Sequence, residues 1–199
     1  TGEVETIIES QADPSQFGGV LSRDGEGLVY VDKGRLAYRD LSSDREIELF
    51  EDPGVAARLL DLSPDGAELA FAVNDSQDQG QPEPAPWLQG AGRLMIVSTK
   101  GGAVRELTRV EGSGGVSGLQ WTPDGRYLLY LRHGENGSVL WRVAREGGVP
   151  EAVWETDRDL LAISFSPDGS QVAFSFREGP GGGVWVMENL VAALAKGGR

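Results

Sequence analysis

The stretch "LSPDGAELAFAV", residues 62–73, has the pattern of a strand end, a tight turn and a second strand. Its central letters occur four times, as "SRDG" (22–25), "SPDG" (63–66), "TPDG" (122–125) and "SPDG" (166–169). In such a turn proline presets φ, aspartate accepts local backbone hydrogen bonds and glycine adopts a positive φ. Because every position has a conformational role, we interpret the motif as a hairpin turn and not as a chemical site.

The turn aspartates also define a repeat. Asp24, Asp65, Asp124 and Asp168 follow one another at steps of 41, 59 and 44 residues. The long step contains the polar Pro/Gly/Gln stretch 74–92, and without these 19 residues it shortens to 40. A period of about 40–45 residues is the length of one four-stranded propeller blade. The sequence therefore predicts an all-β fold, a β-propeller of four-stranded antiparallel blades with four visible repeats.

The repeats predict a single domain over residues 1–199. Its blades are expected near 19–50, 58–108, 117–155 and 161–189, followed by a C-terminal tail at 190–199. The fourth repeat ends after its third strand. The opening "TGEVETIIES" (1–10) aligns with "GGAVRELTRV" (101–110) and "GGVPEAVWET" (147–156), which contain fourth strands. We therefore expect an N-terminal strand over 3–9 to complete the last blade and cover its open edge.

The number of blades in the complete ring stays open at this stage. Four repeats and the N-terminal strand could close as a four-bladed ring within one chain. Alternatively, the chain belongs to a ring of six to eight blades that a further region or a second copy completes. Two chains that exchange N-terminal strands would form a homodimer of eight blades. The abrupt start of the sequence also suggests that a leader or an upstream region was removed.

Composition excludes several classes of function. The chain has 31 acidic and 18 basic residues, a net charge of −13, and no run of Lys or Arg, so nucleic-acid binding is not expected. It has no cysteine, which excludes disulfides and thiolate metal sites. No apolar run approaches the ~20 residues of a bilayer-spanning helix, so we expect no membrane insertion by this segment.

Residues with the chemistry of catalysis are scarce. The one histidine, His133, lies in "RHGENG" (132–137) and is interpreted as a residue of a solvated turn. The glycine clusters at 112–115 and 179–183 lack the Lys–Ser/Thr pair of a phosphate-binding loop. The sequence thus indicates no catalytic residue, no cofactor and no metal site, and a weak cation site at 74–80 is left open.

Blade topology predicts where a partner would bind. Turns between second and third strands lie on the same face as the loops between blades, and this face collects the irregular segments. Variable loops on a rigid scaffold commonly carry binding sites. We expect a protein or peptide partner there, with an acidic peptide or carboxylate as the sharper hypothesis. The candidate partner-binding residues are Trp87, which either pins its loop or anchors the partner, and Arg109, Arg132, His133, Arg158 and Arg177.

The repeats also carry a family resemblance. The segments "LDLSPDGAELAFAV" (60–73), "LQWTPDGRYLLYL" (119–131) and "ISFSPDGSQVAFSF" (163–176) resemble the repeats of bacterial TolB-like (WD-like) β-propellers. The closing "VWVMEN" (184–189) is similar to the end of the last blade in such proteins. The first repeat departs from the pattern, since Arg23 stands where proline is usual.

The resemblance implies a set of functions and not one. Such propellers occur in periplasmic partner-binding proteins, in sensor regions of membrane-anchored regulators and in gating domains of peptidases. We therefore expect a non-catalytic, periplasmic or otherwise extracytoplasmic module that binds a protein or peptide. The alternative is the substrate-gating propeller of a prolyl-oligopeptidase-like hydrolase whose catalytic domain is absent here. A purely structural assembly unit is a third reading.

Overall fold

The computed structural model describes residues 7–9, 18–32, 34–51, 57–74, 92–111, 115–166, 168–178, 181–188 and 190. These residues form fifteen strands arranged in four antiparallel sheets, and in each sheet the strands are neighbours in chain order. The all-β class and the four repeated sheets confirm the prediction from the sequence.

The strands follow the repeats. Sheet 1 contains β1 (Gly18–Leu21), β2 (Gly27–Asp32), β3 (Arg35–Asp40) and β4 (Arg45–Glu51). Sheet 2 contains β5 (Ala57–Leu62), β6 (Glu68–Asn74), β7 (Gly92–Ser98) and β8 (Arg105–Val110). Sheet 3 contains β9 (Val116–Trp121), β10 (Tyr127–Gly134), β11 (Gly137–Ala144) and β12 (Glu151–Thr156). Sheet 4 contains β13 (Asp159–Phe165), β14 (Gln171–Glu178) and β15 (Gly181–Glu188).

The four Asp–Gly turns are closed by their own side chains. In the second repeat the Ser63 hydroxyl donates to Asp65 at 2.5 Å and accepts from the Glu68 amide at 2.9 Å. Asp65 also accepts from the Ala67 amide at 3.1 Å, and Gly66 has a φ of 68°. The other turns repeat these contacts. The aspartates are thus used to build hairpins, as the sequence indicated.

Neighbouring sheets pack through their faces, and three hydrophobic cores join the four sheets in series. An aromatic residue stands six positions after the turn aspartate of each repeat. In sheets 2, 3 and 4 this residue is Phe71, Tyr130 or Phe174, and each is buried in the core shared with the preceding sheet. Phe71 contacts Phe50 of sheet 1 with 5.3 Å between ring centroids. The inner strands β1, β5, β9 and β13 lie side by side in that order.

Sheet 4 has three strands among the described residues, whereas sheets 1 to 3 have four. Of the strand expected at 3–9, residues 3–6 lie outside the described residues, and residues 7–9 make no strand pairing. Ring closure is not observed in the part of the chain that the structure describes. The tail at 191–199 and the 75–91 stretch, which includes Trp87, also lie outside it.

Candidate functional site

The strand order divides the connections between two faces. The hairpin face carries the four Asp–Gly turns at 22–26, 63–67, 122–126 and 166–170. The loop face is the opposite one, where the second strands end and the third strands begin. Among the described residues it carries the β10–β11 turn at 135–136 and the connection between sheets 3 and 4 at 157–158. The candidate binding residues that the structure describes all lie at or next to the loop face.

His133 is not in a solvated turn, and that interpretation is wrong. The strand β10 continues through His133 to Gly134, and the turn is limited to residues 135–136. His133 pairs with Ser138 of β11, and its side chain is only 14% exposed. The glycine and asparagine that follow suggested a longer loop, but the two-residue turn lets both strands extend to it.

A chain of hydrogen bonds runs from sheet 3 to sheet 4 through this histidine. His133 Nε2 lies 2.8 Å from the Ser117 hydroxyl, and Nδ1 lies 3.0 Å from Asp159 Oδ1. The Ser138 hydroxyl accepts from the Leu160 amide at 2.9 Å. The order Ser–His–Asp is that of an activated nucleophile. However, Ser117 is fully buried in β9, so a substrate cannot reach its hydroxyl, and the chain joins the two sheets instead.

The surroundings of His133 favour the neutral imidazole. Burial lowers the pKa of His133 below its ordinary value of 6.5; the Asp159 carboxylate opposes this and the Arg177 charge adds to it. In the neutral ring, Nδ1–H donates to the Asp159 carboxylate and Nε2 accepts from Ser117. Because folding lowers the pKa of His133, the contribution of its neutral imidazole to the free energy of unfolding is complete above pH 6.5 and is lost as the pH falls.

Arg158 is held at the start of sheet 4 by charge and by aromatic rings. Its guanidinium forms an ion pair with Glu178. The guanidinium carbon also lies 5.5 Å from the ring centroid of Phe176 and 5.6 Å from that of Trp185. The two rings are 4.7 Å apart, and Trp185 is 36% exposed. A cation stacked on aromatic rings keeps one orientation with little added entropy cost.

The other candidate arginines lie on strands. Arg132 donates to the Glu111 carbonyl oxygen at 2.5 Å, and its guanidinium lies 5.5 Å from the Trp141 ring centroid. Arg109 forms an ion pair with Glu106 at 2.9 Å. Arg177 stands opposite Asp159 in the pairing of β13 with β14. The structure therefore brings His133, Arg158 and Arg177 together at the junction of sheets 3 and 4.

An open pocket of about 570 Å³ lies on the loop face at this junction. It is lined by Gly134, Glu135, Asn136, Gly137, Asp157 and Asp159. Carboxylates and an amide dominate the lining, whereas the arginines lie beside the pocket. The loop face thus presents both charge signs within a small area.

One buried carboxylate was not singled out by the sequence. Asp61 lies in the inner strand β5, where it accepts from the Trp121 amide of β9 at 2.7 Å. The Trp121 indole donates to the Asp61 carbonyl oxygen at 3.2 Å. Burial raises the pKa of Asp61 to about 6, against the opposing effect of these amide hydrogen bonds. The signal in the sequence was an acidic residue between leucines, in "LLDL" (59–62), directly before the "SPDG" turn.

Asp61→Asn is expected to stabilise the protein at pH 8 by about 1–2 kcal/mol. The raised pKa means that the stability cost of ionising Asp61 builds up as the pH rises from 3.8 to about 6 and is complete above that, whereas asparagine stays uncharged and keeps an acceptor for the Trp121 amide. Urea denaturation at pH 4.5 and pH 8 measures the effect, which should shrink at the lower pH. The control is Asp65→Asn, because the Ser63 hydrogen bond lowers the pKa of Asp65 to about 2. An equal gain at both pH values, or no gain at pH 8, contradicts the prediction.

The described ranges contain neither a metal-binding cluster nor a membrane-spanning helix. No group of three or more His, Cys, Asp or Glu side chains within these ranges is arranged to hold a metal ion. The described residues also include no helix of the length and apolar character that crossing a bilayer requires. The stretch 75–80, where the sequence left a weak cation site open, lies outside these ranges.

No protein-family model and no curated protein matches the chain. Solved structures do match. A TolB from Agrobacterium tumefaciens superposes with a TM-score of 0.63 at 19% identity, over 86% of this chain and 57% of that one. A TolB from Acinetobacter baumannii gives 0.60 at 21% identity, over 86% and 40%. The chain has a TolB-like β-propeller fold. The resemblance seen in the "SPDG" repeats is thereby confirmed at the level of the fold.

The TolB-like propeller also matches an enzyme structure. Dipeptidyl peptidase 4 from Porphyromonas gingivalis superposes with a TM-score of 0.62 at 15% identity, over 86% of this chain and 31% of the enzyme. All these identities are low, so the likeness concerns the fold alone. The chain spans little more than half of one TolB and two fifths of the other.

Proposed function

We propose that the TolB-like propeller is a non-catalytic module that binds a protein or peptide partner through its loop face, in an extracytoplasmic binding or sensor role. The observation that carries this proposal is the placement of Arg132 and Arg158, whose guanidinium groups are positioned against aromatic rings at the loop face. The fold agrees with the resemblance of the "SPDG" repeats to TolB-like propellers, among which periplasmic partner-binding proteins occur. Preoriented arginines reduce the entropy lost when a partner binds.

The partner that fits these arginines is an acidic peptide or another carboxylate. A guanidinium has five N–H donors in a planar fork, and the Glu111 carbonyl uses the Nη2 end of Arg132. Arg177, at the neighbouring junction, adds a second positive charge on the same face. Since the chain carries a net charge of −13, an acidic probe gains nothing from general attraction. Binding of such a probe would therefore report a local site.

The test uses a fluorescent decapeptide of Glu and Gly, with a Gln-for-Glu peptide as the uncharged counterpart. Fluorescence anisotropy at low salt is expected to show tighter binding of the Glu peptide. Arg132→Ala and Arg158→Ala should each weaken it about tenfold, the size expected for loss of a charged hydrogen bond. Arg126→Ala is the matched control, because Arg126 lies on an Asp–Gly turn of the hairpin face and should leave the affinity within twofold.

Three outcomes contradict the proposal: no binding of the Glu peptide, equal binding of the Gln peptide, or equal losses for Arg126→Ala and the two loop-face variants. Trp87→Ala, combined with Arg132→Ala, extends the test to the 75–91 stretch. Unchanged affinity in that double variant would remove both residues from the site.

A second candidate function is substrate gating for a peptidase-like hydrolase. The likeness to the Porphyromonas gingivalis peptidase fold favours it. A gene that continues past Arg199 into a nucleophile-elbow sequence would support this candidate. Because the Ser117 hydroxyl beside His133 is buried, this serine is not a nucleophile that a substrate can reach, and gating would require a separate hydrolase domain.

A further inference from the structure

Each of sheets 1 to 3 packs on the next sheet through an equivalent face. In sheet 4, the last of the series, this face is exposed. Leu36, Leu94 and Leu140 occupy the same position in the third strands β3, β7 and β11, and all three are completely buried. In sheet 4 this position is Val184, which is 67% exposed. Val186, two residues later on the same face, is 61% exposed. Sheet 4 therefore presents a packing face without a following sheet among the described residues.

Sheet 1, at the other end of the series, exposes the opposite packing face, the one that would contact a preceding sheet. Leu62, Trp121 and Phe165 end the inner strands β5, β9 and β13, and each packs in the core shared with the preceding sheet. The equivalent residue of sheet 1 is Leu21, which is 57% exposed. The two ends thus carry the two halves of an interface that the molecule already forms three times.

The fourth strands of sheets 1 to 3 share a feature that indicates which segment could be the fourth strand of sheet 4. In sheets 1, 2 and 3 the fourth strand contains a bulge at Leu49, Leu107 or Val153, and these side chains enter the cores. In the aligned segment "TGEVETIIES" the same position is Ile7, which is 42% exposed. Residues 3–9 therefore have the sequence pattern of a fourth strand for sheet 4. Of these, residues 7–9 are described, and they do not pair with β15.

Chain connectivity decides which molecule can supply this strand. The connections from a fourth strand to the next inner strand are short, at 52–56, 111–115 and 157–158. A fourth strand over 3–9 would lead through 10–17 into β1, so the sheet that it completes must lie beside sheet 1 of the same chain. Among the described residues no hydrophobic core joins sheet 1 to sheet 4 of one chain. Within the described residues, sheet 4 of the same chain is therefore not the acceptor, whereas sheet 4 of a second copy would offer the same three-stranded edge.

We propose that two copies of this chain join end to end, with residues 3–9 of each copy completing sheet 4 of the other. Sheet 1 of each copy then packs Leu21 against the Val184 and Val186 face of its partner. Two such contacts close a ring of eight sheets with twofold symmetry. This inference goes beyond the proposed partner binding and does not depend on it.

The pairing register makes the inference testable with cysteines. Thr108 lies opposite Leu94, and Trp154 lies opposite Leu140, so the alignment places Ile8 opposite Val184. Opposed residues in antiparallel strands are within disulfide reach, and the chain has no native cysteine. A mixture of the Ile8→Cys and Val184→Cys chains should oxidise to a covalent pair of twice 21.3 kDa on a non-reducing gel.

The double variant Ile8→Cys/Val184→Cys distinguishes exchange from closure within one chain. A covalent dimer is expected. A disulfide-bonded monomer, or no disulfide in either experiment, overturns the proposal.

Solution mass provides a second measurement. Multi-angle light scattering on the unmodified chain should give twice 21.3 kDa. Val184→Lys/Val186→Lys should give the monomer mass with an unchanged circular dichroism spectrum, because both side chains are exposed. Val149→Lys is the matched control, since Val149 is 89% exposed in the β11–β12 connection, and it should leave the dimer intact. A monomeric unmodified chain, or a dimer unaffected by the double lysine variant, contradicts the proposal.

Discussion

Phe174→Ala is expected to lower the free energy of unfolding by about 3–5 kcal/mol. Phe174 is completely buried in the core between sheets 3 and 4, and its ring lies 5.1 Å from that of Trp154 between centroids. The substitution removes the aromatic contact and leaves a cavity that two packed sheets cannot close without moving apart. Because one core joins sheet 4 to the rest of the described fold, its loss affects the whole sheet.

Urea denaturation followed by tryptophan fluorescence measures this change. Phe174→Leu keeps most of the volume and should cost less than about 1.5 kcal/mol. Val149→Ala, at an exposed position, should stay within about 0.5 kcal/mol of the unmodified chain. If Phe174→Ala costs no more than Phe174→Leu, the packing of sheet 4 on sheet 3 described above is wrong.

Gly137→Ala is expected to cost about 2–4 kcal/mol, which combines backbone strain with a steric clash. Gly137 has a φ of 129°, which L side chains rarely adopt. A Cβ atom at this position would lie 2.1 Å from the Thr156 carbonyl oxygen and 2.7 Å from the backbone of Asp157. The β10–β11 turn would therefore have to move away from the connection that carries Asp157, and the loop-face pocket would change shape.

Gly134→Ala is the matched control for this substitution. Gly134 is the other glycine of the same turn, its φ is not in the left-handed region, and the nearest atom to its added Cβ would be the Gly137 carbonyl oxygen at 3.7 Å. Its cost should stay below about 1 kcal/mol. Thermal unfolding by circular dichroism compares the two variants. Equal melting temperatures would show that the close approach of Gly137 to Thr156 is not present in solution.

The architecture was predictable because its determinants are local. The "SPDG" turn brings together residues at most five positions apart, so one short segment contains all of its hydrogen-bonding partners. The period of the turns then implies the number of sheets. Within the segments 101–110 and 147–156, the fourth strands β8 and β12 begin only at Arg105 and Glu151, because the glycine pairs at 101–102 and 147–148 have positive φ angles and belong to the preceding turns.

The site was less predictable because its contacts join residues that are distant in sequence. His133 was interpreted from its Gly and Asn neighbours, whereas its environment comes from Ser117, 16 residues before it, and Asp159, 26 residues after it. Asp61 meets Trp121 across 60 residues. A single sequence contains no information about which loop of one sheet faces which strand of the next, so the composition of the loop face could be expected but not its pairings.

The self-contained turns bear on how such a protein arises and grows. Since each hairpin is closed by its own serine or threonine and aspartate, a duplicated segment of about 40 residues would contain every residue that its turn requires. Gene duplication can then add or remove a blade without new long-range hydrogen bonds at the turn, and only the apolar faces must match their neighbours. Propellers that share this turn would therefore be expected to differ in their number of blades.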